Sequence, residues 1–227
     1  MKKDIRKQYA GMADGYDLTI RQLIPKYDHI MKRMASFLPY DKNQAIDILD
    51  IGCGTGNLAF LLKKKFFYSN ITCIDPTDKM IKYAKQKLSV FPGIKYVKSM
   101  VQDFKFNEKY DAVLVSMVFQ NLRNKRQKMS IYRKICKSLK QDGMFLMFGP
   151  VLGSNDFVEE YYMKHWSAFI QKSFNKEKTE GGWLATYREK DGPDKFLDEI
   201  SMLQKSGFKT VDVVYKDNNL ALFVMVK

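Results

Sequence analysis

The chain has 227 residues, a formal net charge of +14, three cysteines and two histidines. That length suits one well-buried α/β core with elaborations. No run approaches the ~20 apolar residues of a membrane-spanning helix, and the lack of a CxxC pair or a histidine cluster argues against a metal centre.

Met1–Tyr9 carries lysines with no apolar stretch behind them, so no secretory signal is expected and a cytoplasmic protein follows by default. Cys53, Cys73 and Cys136 then read as buried thiols of a reducing compartment. Residues 2–40 interleave Tyr9, Tyr16, Tyr27 and Tyr40 with apolar residues. Pro25 suits a first helical turn, and Ile30, Met31, Met34, Phe37 and Leu38 follow at helical spacing. This predicts a short N-terminal helix, a turn and a longer helix docked on the main domain.

Ile46–Ile51 is an apolar run that ends in glycines at alternate positions, Gly52, Gly54 and Gly56, with a helix-compatible segment from Asn57 to Lys65 behind them. Strand, tight glycine turn and helix form the opening of a nucleotide-binding βαβ unit. The spacing is not the dinucleotide fingerprint, in which the third glycine lies three residues past the second. Asp50 sits where it would repel a pyrophosphate and attract an amino or sulfonium group. Ile71–Ile74 is the second strand, ended by Asp75-Pro76, with a helix over Met80–Val90. Pro92-Gly93 punctuates the chain before the third strand, Ile94–Lys98. Met100-Val-Gln-Asp-Phe then lies at the carboxyl edge, where open parallel sheets bind ligands.

Asp50-Ile-Gly-Cys-Gly-Thr-Gly56, followed at matching spacing by Asp75 and Asp103, resembles the motifs of class I S-adenosylmethionine (SAM)-dependent methyltransferases of the small-molecule type. The resemblance implies an α/β Rossmann-like fold. Its seven-stranded sheet is mostly parallel, with an antiparallel last strand and helices on both faces. SAM is the implied cofactor and S-adenosylhomocysteine the product. The glycine turn, with Asp50, Gly52, Cys53, Gly54 and Gly56, would pack against the amino-acid part of SAM. Asp75 would bind the ribose hydroxyls and Asp103 the adenine amino group, with Pro76, Met80, Gln102 and Ser116 as further cofactor positions. A core role suits Met80 equally. Phe104 and Phe106 alternate with charged neighbours, positions that suit covering the base or filling a corner.

Tyr110–Ser116 is the fourth strand and Asn124–Leu139 its helix. Between them, Gln120 and Asn121 occupy the loop where family members place catalytic or substrate-facing residues. The Asn/Asp-Pro-Pro-Tyr signature of amino-methylating nucleic-acid and protein enzymes is absent. Leu139-Lys-Gln-Asp-Gly143 resembles the family's turn before a fifth strand at about Met144–Phe148. Residues 151–192 exceed a simple crossover. They offer an amphipathic Phe157–Phe174, a polar loop over Phe174–Gly182, and then Trp183, Tyr187 and Arg188. A helix over Phe196–Ser206 and strands over Phe208–Tyr215 and Asn219–Val226 close the chain.

Residues 1–40 are therefore expected as a helical lid, and 41–227 as the SAM domain with an aromatic cap inserted at about 151–192. Tyr9 and Arg21, with Trp166, Trp183, Tyr187 and Arg188 of the cap, are the substrate-binding candidates. Tyr16, Gln120 and His165 are the catalytic candidates, His165 for a pKa suited to a base. Plain helical packing competes with the lid, and a structural cap with the substrate cap.

The expected activity is methyl transfer to a small molecule by a monomer or homodimer, on oxygen, nitrogen or carbon. RNA methylation is the first alternative. The positive excess is nearly all dispersed lysine, whereas phosphate and base-edge recognition favours arginine. A second alternative is a carboxy-SAM synthase-like enzyme, one that modifies SAM itself. Leu23-Ile-Pro-Lys-Tyr27, Phe119-Gln-Asn-Leu122 and the aromatic insertion are similar to that group, which serves tRNA wobble-uridine modification. Its substrate-anion arginine lies in the insertion, where Arg188 stands here. A non-enzymatic SAM-binding protein is the third.

Overall fold

The computed structural model describes residues 2–227, with side chains from Arg6 onward except Lys190. At its centre, β1 (Asp47–Ile51) is buried on both faces, as a continuous apolar run in a parallel sheet should be. It pairs in parallel with β2 (Asn70–Asp75) on one side and with β4 (Tyr110–Ser116) on the other. β3 (Ile94–Lys98) extends the sheet past β2, and β5 (Leu139–Pro150) past β4. The hairpin of β6 (Thr210–Asp217) and β7 (Leu220–Val226) completes it, β7 running antiparallel between β5 and β6. The order is β3-β2-β1-β4-β5-β7-β6. The chain winds outward from β1 to β3 and then crosses back to β4. The order therefore reverses beside β1, and a crevice opens at the carboxyl ends of β1 and β4.

Three helices precede the sheet: α1 (Lys2–Met12), α2 (Tyr16–Leu23) and α3 (Tyr27–Phe37). Pro25 does not start a helix. It lies in the turn before α3, where Lys26 adopts a left-handed φ of 55°. Ile30, Met31 and Met34 of α3 are buried, as their spacing predicts, each worth about 1.5–3 kcal/mol. They pack toward α4 (Asn57–Lys65). α5 (Asp78–Lys87) and α6 (Lys125–Ser138) are the other crossover helices. β5 begins at Leu139, earlier than the glycine turn suggests, because Leu139 pairs with Tyr110 ahead of a bulge.

Between β5 and β6 run α7 (Asp156–Ile170), a π-helical turn (Lys178–Leu184), α8 (Ala185–Lys190) and α9 (Phe196–Gln204). The π turn replaces most of the polar loop expected over 174–182, and Gly181-Gly182 lie inside it. Trp166, Ile170, Leu184 and Tyr187 of this insertion share one buried cluster with α2, α3, α4 and a face of the sheet. The indole Nε1 of Trp166 donates to the carbonyl of Leu23 at 2.7 Å, tying the insertion to the N-terminal helices. α6 and α9 cover the other face through Ile131, Tyr132, Ile135, Met202 and Leu203.

The return from α8 to α9 is held by a buried ionic cluster. Lys128 Nζ lies 2.6 Å from Asp194 and 3.3 Å from Glu199, and the Tyr132 hydroxyl donates to Glu199. Removing Lys128 takes the buried cation from Glu199 and leaves Asp194 only the more exposed Lys125 at 3.3 Å, and breaking such a buried pair typically costs about 3–5 kcal/mol. Lys128→Ala is therefore expected to lower the urea unfolding free energy by about 3 kcal/mol or more. Burial already pushes Glu199 above its ordinary value even with Lys128 beside it. In the variant Glu199 escapes its penalty by protonation, so the deficit should shrink as pH falls from neutral toward about 5. A deficit below 1 kcal/mol would show that the cluster does not hold this return.

Candidate cofactor and acceptor site

The turn after β1 is stapled to the end of β2. Gly52 N and Cys53 N both donate to the carbonyl of Ile74, at 2.8 and 3.0 Å, and Gly54 N donates to Asp75 Oδ2 at 3.1 Å. The glycines have φ of 69°, 53° and 84° at Gly52, Gly54 and Gly56. A Cβ at Gly52 would stand 2.3 Å from Val118 Cγ2. The sequence can make this turn only with glycine at that position.

The crevice above the turn has two parts. The larger, about 690 Å³ and partly open to solvent, is bounded by Gly52, Gly54, Asp75, Pro76, Met80 and Gln102, among others. The smaller, about 300 Å³, lies deeper against Asp50, Cys53, Asn57, Tyr27, Met31 and Ser116. No lysine, arginine or histidine lines either part among the described residues. Asp75 is buried, and its carboxylate also accepts from Thr77 N at 2.8 Å. Burial pushes its pKa up, against the hydrogen bonds from Thr77 and Gly54. Asp50 is buried too, with Oδ2 lacking a hydrogen-bond partner. Burial first, and the charge of Asp75 second, raise it to about 7. Gln102 Oε1 is a further buried acceptor without a partner.

A third cavity, about 620 Å³, adjoins the crevice beneath the insertion. Tyr9, Trp166, Trp183 and Tyr187 supply its aromatic wall, with Gln120 and Asp191 beside them. Tyr9, Tyr16 and Met117 border both this cavity and the larger part of the crevice, and Tyr16 borders all three spaces. Its ring lies over the glycine turn, with Cε1 3.7 Å from where a Cβ of Gly54 would be. Met117 holds a left-handed φ of 56° at this junction, an uncommon conformation for a residue with a side chain. Burial, then the neighbouring Tyr27, Tyr9, Asp75 and Asp17, push the Tyr16 phenol well upward, so it stays protonated at neutral pH.

Tyr16 is placed by its neighbour. Asp17 accepts from Thr55 Oγ1 at 2.6 Å, Asn57 Nδ2 at 2.9 Å and Lys87 Nζ at 2.6 Å, which fastens α2 to the glycine turn and to α5. Burial raises the pKa of Asp17, but the bonds from Lys87, Thr55 and Asn57 outweigh it and leave a net lowering. Asp14 adds an exposed tie to Lys79 and Tyr83 of α5.

The structure does not bring every candidate to these cavities. His165 is exposed on the outer face of α7, stacked on Tyr161 at 4.1 Å, because Met163, Trp166 and Ile170 take the inner face. Arg21 is turned to Asp28, with Nε 2.9 Å from Oδ2. Arg188 is exposed and lines a separate surface groove with Glu160 and Glu180. Asp103 is exposed and lines neither space, and Phe104 packs edge-on against Phe106 at 5.0 Å. Gln102, one residue earlier, takes the crevice edge. Gly56 starts α4 behind the turn. Asp17, Asn57, Met117 and Asp191 were not singled out from the sequence for the site. Of these, only Met117 lies in a stretch the sequence marked, the loop between the fourth strand and its helix.

A profile of the methyltransferase-domain family matches residues 48–143, from β1 to the turn within β5. This is the class I SAM-dependent methyltransferase fold. Solved structures agree on the fold. A candidate O-methyltransferase of Nostoc punctiforme superposes with a TM-score of 0.69 at 14% identity, over 96% of this chain and 60% of that one. A candidate SAM-dependent methyltransferase of Listeria monocytogenes gives 0.61 at 18% identity, over 87% of this chain and 97% of that one. Among curated proteins, a carboxy-SAM synthase of Nautilia profundicola is 28% identical over 99% of this chain and 97% of its own. A malonyl-[acyl-carrier protein] O-methyltransferase of Acetivibrio thermocellus is 30% identical over 65% of this chain and 50% of its own.

SAM is the cofactor of this fold, and the crevice suits it. Its lining offers acceptors without partners and no basic side chain, as a ligand with an ammonium and a sulfonium requires and a pyrophosphate does not. Asp50 sets a pH dependence. A bound ammonium favours the carboxylate, so affinity needs the ionised form, which is lost as pH falls through about 7. Calorimetry should find S-adenosylhomocysteine binding weakening by up to about tenfold per pH unit below that point. Asp50→Asn should bind more weakly at pH 8 and show a flat profile. A flat profile in the unmodified protein would remove Asp50 from the ammonium.

Proposed function

We propose that the chain transfers the methyl group of SAM to a small molecule held in the aromatic cavity under the insertion. The observation that carries this reading is that a second cavity meets the cofactor crevice at Tyr16 and Met117. A protein that only binds SAM needs no such space. RNA is not favoured as the acceptor, since no basic side chain lines the cavity among the described residues. We place the enzyme in a reducing compartment, the cytoplasm, on the strength of three buried free thiols.

When bound, SAM supplies an electrophilic methyl on a sulfonium sulfur, whose departure as a neutral thioether needs no acid. The chain's task is then mostly placement, and holding two reactants in line accounts for much of a rate. Asp75 accepts from the ribose hydroxyls, and Asp50 with the deeper pocket takes the amino-acid end. Tyr16, protonated and set at the junction, orients the acceptor by hydrogen bonding and removes no proton. Gln120 is a wall residue whose Nε2 is spent on Met117 O at 2.9 Å. α1 and α2 act as the lid, hinged over the crevice and closed by the Asp17 contacts.

A second reading is favoured by the end-to-end match to carboxy-SAM synthases, which includes the insertion where the O-methyltransferase match covers only part of the chain. In that reading SAM is itself the acceptor and leaves carboxylated. The products separate the two. Mass spectrometry finds S-adenosylhomocysteine after methyl transfer and a carboxylated SAM after the alternative.

The direct test is calorimetry with SAM and S-adenosylhomocysteine, followed by a methyl-release screen over small amines, phenols, carboxylates and tRNA. Asp75→Ala should weaken cofactor binding by about ten- to a hundredfold, the worth of hydrogen bonds to a charged group. An unchanged Kd in that variant, or no heat from either nucleoside at about millimolar concentration with the native chain, would end the assignment.

A further inference from the structure

The three cavities differ in what they leave unsatisfied. In the acceptor cavity, Trp183 Nε1, the Tyr187 hydroxyl and Gln120 Oε1 belong to lining residues and have no hydrogen-bond partner. Each such buried group is costly to leave unpaired. The other ring nitrogen in the wall, Trp166 Nε1, is already spent on Leu23 O. The cavity is therefore apolar in bulk but short of polar partners at a few points, which is the pattern of a small-molecule site.

Its charge has one sign. Asp191 lines the cavity, and no lysine, arginine or histidine does among the described residues. The groups facing Asp191 come from three elements. Tyr9 belongs to α1 and Tyr187 to α8, and burial holds both phenols neutral, Tyr9 being pushed up to about 12. Arg123, in the loop before α6, reaches the backbone carbonyl of Asp191 at 3.2 Å without lining the cavity. Burial raises Asp191 to about 6 against the pull of Arg123, so it carries its charge at neutral pH. An entering anion would lose water and meet a carboxylate and ring faces. An entering cation would meet its counter-charge in a wall of aromatic side chains that includes Trp183, Trp166 and Tyr187.

We propose that this cavity selects an amine-bearing, cationic small molecule with an aromatic or apolar body, its positive group held by Asp191 and its polar atoms met by Trp183 and Tyr187. This rests on the methyl-transfer reading and narrows it to acceptors that carry an amine.

The test uses three probes of one shape on the full chain saturated with S-adenosylhomocysteine: 2-phenylethylamine, 2-phenylethanol and 3-phenylpropionate. Calorimetry should rank amine above alcohol above carboxylate, with about tenfold or more between the first and last. Between about pH 7.5 and about 5.5 the amine should weaken and the alcohol should not, because only the cation depends on ionised Asp191. Asp191→Asn should erase the amine-over-alcohol preference while circular dichroism and S-adenosylhomocysteine binding stay native. Trp183→Phe, which keeps an aromatic side chain and removes the indole N–H donor, should weaken the alcohol and the carboxylate, the probes with an acceptor oxygen, and keep the ranking. A carboxylate that binds as tightly as the amine, an amine affinity indifferent to this pH range, or binding of none of the three overturns the proposal. The pH arm needs no variant, so it decides even where Asp191→Asn fails to fold. Failure here with intact S-adenosylhomocysteine binding sinks the amine selectivity alone. Failure to bind S-adenosylhomocysteine sinks the methyl-transfer reading, and the probes then report on the cavity of the free chain.

Discussion

The architecture depends on one backbone constraint, the stapling of the glycine turn to the end of β2. Gly52 N and Cys53 N share the carbonyl of Ile74, and Gly54 N is held by Asp75. From the other side, Val118 in the loop after β4 occupies the space of a Gly52 side chain. The bonds to β2 also set Asp50 and Asp75 near each other at the floor of the crevice. Burial first, and the neighbouring charge of Asp75 second, make ionising Asp50 costly, and its pKa is raised accordingly. A ligand with its own positive charges relieves this strain. Selectivity for such a ligand is thus a result of how the turn is made.

The N-terminal helices are built on the same turn. Asp17 bonds to Thr55 and Asn57, residues on either side of Gly56, and to Lys87 at the end of α5. Tyr16 precedes Asp17 and so is delivered over Gly54. The position of one aromatic ring among three cavities is therefore set by a polar contact one residue away. The insertion reaches the same point from the other side, since Trp166 bonds to Leu23 at the end of α2. The N-terminal helices and the insertion meet each other as well as the sheet, and the third cavity is the gap left between them.

What was legible in the sequence follows from locality. The helix Asn57–Lys65 and the strands Ile94–Lys98 and Tyr110–Ser116 lie where apolar pattern and glycine spacing put them, because each is fixed by its own residues. Gly52, Gly54, Asp75 and Gln102 reach the crevice because motif spacing fixes a strand end. Tyr9 from the expected lid and Trp166, Trp183 and Tyr187 from the expected cap line one cavity. The charged candidates fared differently. Nothing local says which face of α7 turns inward, so His165 could not be told from Trp166 beside it. Arg21 and Arg188 have long side chains that seek water or an acid, and both found them outside the site. Asp191 has no local signature at all. It enters the cavity because the segment behind it is pinned, Asp194 by Lys128 and Gly192 N by the carbonyl of Gln120 at 2.6 Å.

The charge of the second cavity bears on which reaction the fold performs. Methyl transfer asks little of the acceptor site beyond shape, a hydrogen bond or two and exclusion of water. Adding a carboxylate to SAM instead requires a donor that brings negative charge toward the sulfonium. The described lining would present that donor with Asp191 and, through the junction at Tyr16, with the two acids of the crevice floor. Arg188, the insertion's one arginine, stands in another groove. A carboxylating chain of this fold would have to offset these acids with a cation from beyond the described lining, whereas methyl transfer asks for none there.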